Sequence, residues 1–158
     1  MLLIPKSPAR TGTNNVLRAA ALVLIGAGLS LATVDTVRVN CGGPAYTAAN
    51  GKLWAADSGF VGGTVYAPAN PPEITGTADP ALHQTERYGD GVDFSYNFNM
   101  NPGSYRVYLW NATLWDGACG EGTRVFDVTI NGTKVLTNYD MSAEVPCLTA
   151  HNKNFAVT

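Results

Sequence analysis

A chain of 158 residues is long enough for one domain of ordinary size. Hydrophobic residues make up 46% and charged residues 14%, with 17 Gly, 9 Pro, 7 Tyr, 5 Phe and 3 Trp. That balance excludes a charged disordered tail, a coiled coil and a collagen-like chain. A net charge of -2 and a pI near 5.5 argue against nucleic acid as a partner.

Residues 1–32 carry Lys6, Arg10 and Arg18 and no acidic residue. An apolar run, Ala19 to Leu29, leads into Ser30-Leu31-Ala32, a small-x-small site. A basic start, a short apolar core and a small-residue cleavage site predict a secretory signal-peptide helix over 1–32. The run is short and broken by Gly26 and Gly28, whereas a membrane span needs about 20 residues. An uncleaved anchor, which would bring a membrane contact, is the alternative reading. Cleavage would remove three of the ten basic residues and leave seven against twelve acidic ones, a charge of -5. Residues 33–158 are therefore expected to be a mildly acidic domain, secreted or otherwise extracytoplasmic.

Val37–Asn40 reads as an early strand that stops at Gly42-Gly43. Residues 67–80 hold four prolines and cannot be regular. Phe94–Met100 alternates apolar and polar residues, as does Tyr105–Trp110. With Asn101-Pro102-Gly103 between them, residues 94–110 predict a β-hairpin. Arg124–Ile130 places Phe126, Val128 and Ile130 on one face. Asn131-Gly132 supplies the positive φ angles of a type I′ turn, and Thr133–Thr137 returns from it. Phe155–Thr158 reads as a strand that opens and is not finished, so the domain is expected to lack its last strands. No helical period survives over three turns after residue 33. Short strands, polar turns and half-buried faces predict an all-β, antiparallel two-sheet β-sandwich.

The three cysteines, Cys41, Cys119 and Cys147, all follow the predicted cleavage site. An exported chain meets an oxidising compartment, so one pair is expected and one thiol stays free. Cys119 and Cys147 both sit in loops, and that pairing is preferred, with Cys41 buried as a small apolar residue. Connectivity is not fixed by spacing. No Cys or His pair has zinc-like spacing, and His83 and His151 are isolated, so neither a metal nor any other cofactor is expected.

No phosphate-cradling loop and no nucleophile elbow occur. Asp57, Asp79, Glu86, Asp90, Asp93, Asp116 and Glu121 are available in loops, but glycosidase chemistry needs two carboxylates at a set separation. Nothing in the spacing supplies that constraint. Aromatic residues beside turns are the stronger signal: Tyr66, Tyr88, Trp110 and Trp115. Sugar rings stack their C–H faces on such rings, while their hydroxyls need carboxylates, amides or backbone groups. Trp115-Asp116 and Glu86-Arg87-Tyr88 offer both within a few residues. The same aromatics could instead fill the sandwich core.

Three ordered segments carry a resemblance. They are Val39-Asn-Cys-Gly-Gly43 with Asn50-Gly-Lys-Leu-Trp-Ala-Ala-Asp57, then Gln84-Thr-Glu-Arg-Tyr-Gly89, then Arg124-Val-Phe-Asp-Val-Thr-Ile-Asn-Gly132, continued by Leu136-Thr-Asn-Tyr-Asp140. Together they resemble the malectin domain over about residues 37–158. The resemblance implies a jelly-roll-like, galactose-binding-like sandwich. It implies no enzyme, but a lectin-like module for glucose-containing oligosaccharides, bound through loop aromatics. The tyrosine of the Gln-Thr-Glu-Arg-Tyr motif is Tyr88; an earlier loop tyrosine corresponds to Tyr66. The first of an adjacent aromatic pair corresponds to Trp115, and the second position holds Asp116, which is not aromatic.

The implied carbohydrate-binding set is therefore Tyr88, Trp115, Tyr66, Asp116, Glu86 and Arg87. Asn111-Ala-Thr113 stands where the family usually has Phe-Ala-Glu, and the family's C-terminal aspartate has no counterpart. Asp116 in place of a ring makes the expected surface more polar than usual, and the missing aspartate leads to an expectation of weak binding or none. Asn111 and Asn131 begin N-glycosylation acceptor tripeptides, of which Asn131, in the predicted turn, is the more exposed. Gly42 and Gly43 are expected to serve a tight turn. Two other functions remain as alternatives: a protein- or peptide-interaction module of a receptor-like ectodomain, and a glycoside hydrolase fragment.

Overall fold

The computed structural model describes residues 36–158 and, as backbone alone, residues 2–5. Of the signal-peptide helix expected over 1–32, Leu2–Pro5 is instead a strand, and the rest lies outside the described residues.

The described strands are β1 (Leu2–Pro5), β2 (Thr36–Val39), β3 (Tyr46–Thr47), β4 (Leu53–Trp54), β5 (Phe60–Val61) and β6 (Thr64–Tyr66). They continue with β7 (Glu86–Tyr88), β8 (Ser95–Tyr96), β9 (Tyr105–Asn111), β10 (Val125–Ile130), β11 (Thr133–Asp140) and β12 (His151–Val157). Three short 3-10 turns, Pro80–His83, Asp116–Ala118 and Met141–Ala143, are the helical content of the described residues. The fold is all-β, and every strand ladder among the described residues is antiparallel.

Four strands form the largest sheet, in the order β12-β9-β1-β2. Its spine is the β9–β12 pair, in register from Tyr105↔Val157 to Asn111↔His151. In β9 the alternation sends Tyr105 and Val107 inward and Arg106 out to solvent. A second layer is the β10–β11 ribbon, closed by Asn131 and Gly132 at φ 48° and 76°. Both central residues are left-handed, as a type I′ turn demands.

Burial concentrates at one end of the spine, in two clusters. Ala48, Trp54 and Leu82 pack together under Tyr46 and Trp110. Ile74, Ala112 and Leu114 pack together under Tyr66, Leu148 and Ala150. Away from these clusters, the spine and the β10–β11 ribbon border an open cleft of about 1480 Å³. Val107, Val128 and Ile130 line it, with Phe94 and Phe126 still 40% and 37% exposed.

Several elements differ from the sequence expectation. Residues 94–110 are not a hairpin: Ser95–Tyr96 pairs with Phe60–Val61, and Tyr105–Asn111 pairs with β12 and β1. The Phe94, Tyr96 and Phe98 rings pack on one another, which satisfies the alternation without a neighbouring strand in sequence. Phe155–Val157 closes a seven-residue strand rather than opening one. Its first half, His-Asn-Lys-Asn, hides the period because those residues are polar on both faces. Cys41 is half-buried, not buried. Trp110 packs at a tilt on Trp54, 5.2 Å between ring centres, and stacks on His83 at 6.1 Å, as a core aromatic.

Candidate functional site

Strands β6 and β7 set three of the site's side chains by pleat alone. Their register pairs Tyr66 with Glu86, Val65 with Arg87 and Thr64 with Tyr88. Residues directly opposite share a face, and successive residues alternate faces. Tyr66, Glu86 and Tyr88 therefore share one face, and Arg87 takes the other.

That first face floors a cleft of about 500 Å³. Its walls are Gly89 and Asp90 after β7, Trp115 from the loop after β9, and Thr123, Arg124 and Val125 entering β10. Arg124 reaches back to Glu86: Nη1 donates to both carboxylate oxygens at 3.2 and 3.1 Å, and Nη2 to one at 3.3 Å. The pair is half-open, with side chains 28% and 17% exposed.

Trp115 is 54% exposed, a large ring held in solvent by its loop. Buried Leu114 and Ala118 flank it, and Ala118 N–H donates to the Trp115 carbonyl at 2.8 Å. A disulfide joins Cys119 to Cys147, and Ser142 Oγ donates to the Ala118 carbonyl at 2.9 Å. The indole lies flat over Gly117, where a Cβ would stand 2.4 Å from Trp115 Cζ2. One ring face is thus taken up by backbone while the ring borders the cleft.

Arg87 is not among the residues lining this cleft. On the opposite face of β7, its Nε and Nη2 donate to Asp57 Oδ2 at 3.0 and 2.6 Å. Its Nη1 donates to the Gly62 and Gly63 carbonyls. The guanidinium also sits 3.5 Å from the Phe60 ring centre. Tyr96 O–H donates to the other Asp57 oxygen at 2.7 Å. Burial, followed by the neighbouring Cys41 and Asp57, pushes the Tyr96 phenol far above its ordinary range, so it stays a donor. Gly42 holds this clamp to β7: at φ 76°, a Cβ there would fall 2.4 Å from the Glu86 carbonyl oxygen.

Of the six residues expected from sequence, Tyr66, Tyr88, Trp115 and Glu86 meet in the cleft. Asp116 does not line it; it opens the 3-10 turn and is exposed. Among the loop carboxylates, Asp57 and Asp79 are structural. Asp79 accepts from Ala49 N–H at 2.6 Å and from Tyr46 O–H at 3.2 Å. Arg124 and Thr123 escaped the sequence reading, because Arg124 meets Glu86 across 38 residues of chain.

Chemically, the cleft offers three aromatic rings, carboxylates and one guanidinium. Among the described residues, no group of three or more His, Cys, Asp or Glu is arranged to hold a metal ion. Among those residues, too, no helix is long and apolar enough to cross a membrane. A family model described as Malectin domain matches residues 35–158. Neither a curated protein nor a solved structure matches the chain.

Proposed function

The chain belongs to the malectin-domain family, a family of non-catalytic carbohydrate-binding domains, and we propose that its ligand is a glucose-containing oligosaccharide. The observation that carries this reading is the clustering of Tyr66, Tyr88 and Trp115 with Glu86 around one open cleft of about 500 Å³. Aromatic faces take the apolar faces of pyranose rings, and the half-exposed carboxylate accepts from their hydroxyls. A ligand held this way needs no covalent step and no cofactor.

We propose further that residues 1–32 are a secretory signal, whose cleavage takes β1 out of its place between β9 and β2, and that 33–158 works outside the cytoplasm. The motivation is the basic start, the apolar run and the small-x-small site. An exported location agrees with the disulfide between Cys119 and Cys147. N-terminal sequencing of the exported protein should begin at Thr33; a mature chain beginning at Met1 overturns this part.

Binding is tested by thermal melts with and without millimolar maltose-type and nigerose-type disaccharides. Ligand that binds the folded state alone adds stability of RT ln(1 + [L]/Kd), so the melt should rise with sugar. Exchange of Tyr88 and Trp115 together for alanine should abolish that rise while the melt itself stays cooperative. A double variant that still shifts like the parent protein sinks the assignment of the site.

A further inference from the structure

We infer that Arg124 touches the ligand and, with Glu86, selects a sugar bearing two adjacent free hydroxyls. This rests on the carbohydrate-binding reading of the same cleft and deepens it.

The argument is an inventory of donors. A guanidinium has five N–H groups and cannot give up its charge. In Arg87, all three nitrogens donate: Nε and Nη2 to Asp57, Nη1 to two carbonyls. That side chain is 6% exposed, every one of its nitrogens donates, and one Nη2–H is all that remains. In Arg124, the Nη atoms alone donate, and both donate to Glu86. Its Nε–H and one Nη2–H have no protein acceptor among the described residues, although the residue lines the cleft. These donors are held in place by the fork with Glu86, so little rotamer freedom remains to be lost when a ligand arrives.

Glu86 completes the pattern. Its two oxygens take three contacts from Arg124 and retain acceptor capacity in a side chain 17% exposed. Fixed donors therefore stand beside a fixed acceptor. A hydroxyl both donates and accepts, so two neighbouring hydroxyls can engage the pair at once, one accepting from Arg124 and the other donating to Glu86. Tyr66, Tyr88 and Trp115 meanwhile supply the stacking surface. A site built this way discriminates against a sugar missing either hydroxyl, because the polar groups it desolvates would be left unpaired.

The test is a titration of the disulfide-intact protein with methyl glucoside and each of its monodeoxy analogues, followed by amide chemical shifts. In the parent protein, removal of either of two adjacent hydroxyls should weaken binding about tenfold or more, as for a hydrogen bond to a charged group. In Arg124→Met, the glucoside should bind about tenfold more weakly, and one of those two analogues should no longer be distinguished from it. Arg124→Lys keeps the charge beside Glu86 but lacks the planar fork, so it should not restore the discrimination. Melts of both variants separate lost contact from lost fold. If Arg124→Met misfolds, the lysine variant carries the test, and parent-like discrimination by it overturns the inference. A folded Arg124→Met with parent affinity and the parent deoxy pattern overturns the inference alone. A parent protein that binds no glucoside and no disaccharide overturns the carbohydrate reading, and this inference with it.

Discussion

Two arginines, Arg87 and Arg124, meet carboxylates on opposite sides of the same short strand, and they end in different states. Arg87 is enclosed: a carboxylate, two carbonyls and the Phe60 ring surround it, and its partner Asp57 is also held by Tyr96. Arg124 and Glu86 hold each other at the edge of a cleft and stay open to solvent. Both are arginine–carboxylate pairs, although Arg87 places Nε and Nη2 on one oxygen of Asp57 and Arg124 places its Nη atoms on both oxygens of Glu86. Completeness of the hydrogen-bond set distinguishes a fastening from a site. An arginine with every nitrogen engaged holds strands together, and one whose Nε donates to nothing among the described residues has it available for something else.

The largest effect would test whether the enclosed side holds the cleft unaided. If it does, the disulfide behind Trp115 is dispensable. We expect otherwise: replacing Cys119 and Cys147 together by serine should cost about 3–4 kcal/mol in urea denaturation, from a crosslink spanning 28 residues. A loss below about 1 kcal/mol would show that the clamp suffices. Arg87→Met should cost about 3 kcal/mol, because it leaves Asp57 without its charge partner. Arg124→Met should cost clearly less than Arg87→Met, because its pair with Glu86 keeps more access to water, 28% and 17% against 6% and 10%. Equal costs for the two would erase the distinction between fastening and site.

A smaller change sharpens the open side. Gly117→Ala leaves the backbone unstrained but pushes the Trp115 ring from its seat. Sugar affinity should fall several-fold with the melt almost unchanged, and Trp fluorescence should report the displaced ring. Unaltered affinity would remove Trp115 from the binding surface.

The smallest effect is a slope with pH, and it belongs to the core beneath the enclosed side. Burial lowers the His83 pKa below 6.5, against the opposing pull of the Asp79 carbonyl. The ring therefore stays neutral in the folded state at pH values where the unfolded chain takes up a proton. Stability from this group is whole above 6.5 and declines as the pH falls from 6.5 towards the lowered folded value. His83→Gln should flatten that part of the profile of melting temperature against pH; an unchanged slope would assign it elsewhere.

Much of the architecture was legible where the signal is local. Asn131-Gly132 fixes its own turn, and the alternation in Arg124–Ile130 finds its partner within two residues of that turn. Pairings that cross long stretches of chain were not legible. Tyr96 pairs with Phe60 and Val157 with Tyr105, and no local rule selects those partners over the sequence neighbour. The site divides in the same way. Glu86 and Tyr88 share a face by the period of a strand, which also turns Arg87 away; that much the alternation itself contains. Asp116 neighbours an aromatic in sequence but not the cleft in space. Arg124 depends on a contact made only after β7 and β10 are brought together, so nothing around it in sequence marks it.

The open cleft between the spine and the β10–β11 ribbon carries a calorimetric consequence. Phe94, Phe126 and Val125 are already in contact with water in the folded state. Unfolding then hydrates less new apolar surface than a closed sandwich of this length would. Heat-capacity change and denaturant sensitivity both scale with that new surface. The protein should fall below the usual increment of about 12–15 cal/mol/K per residue, and its stability should vary only gently with temperature. Cooling would weaken it little.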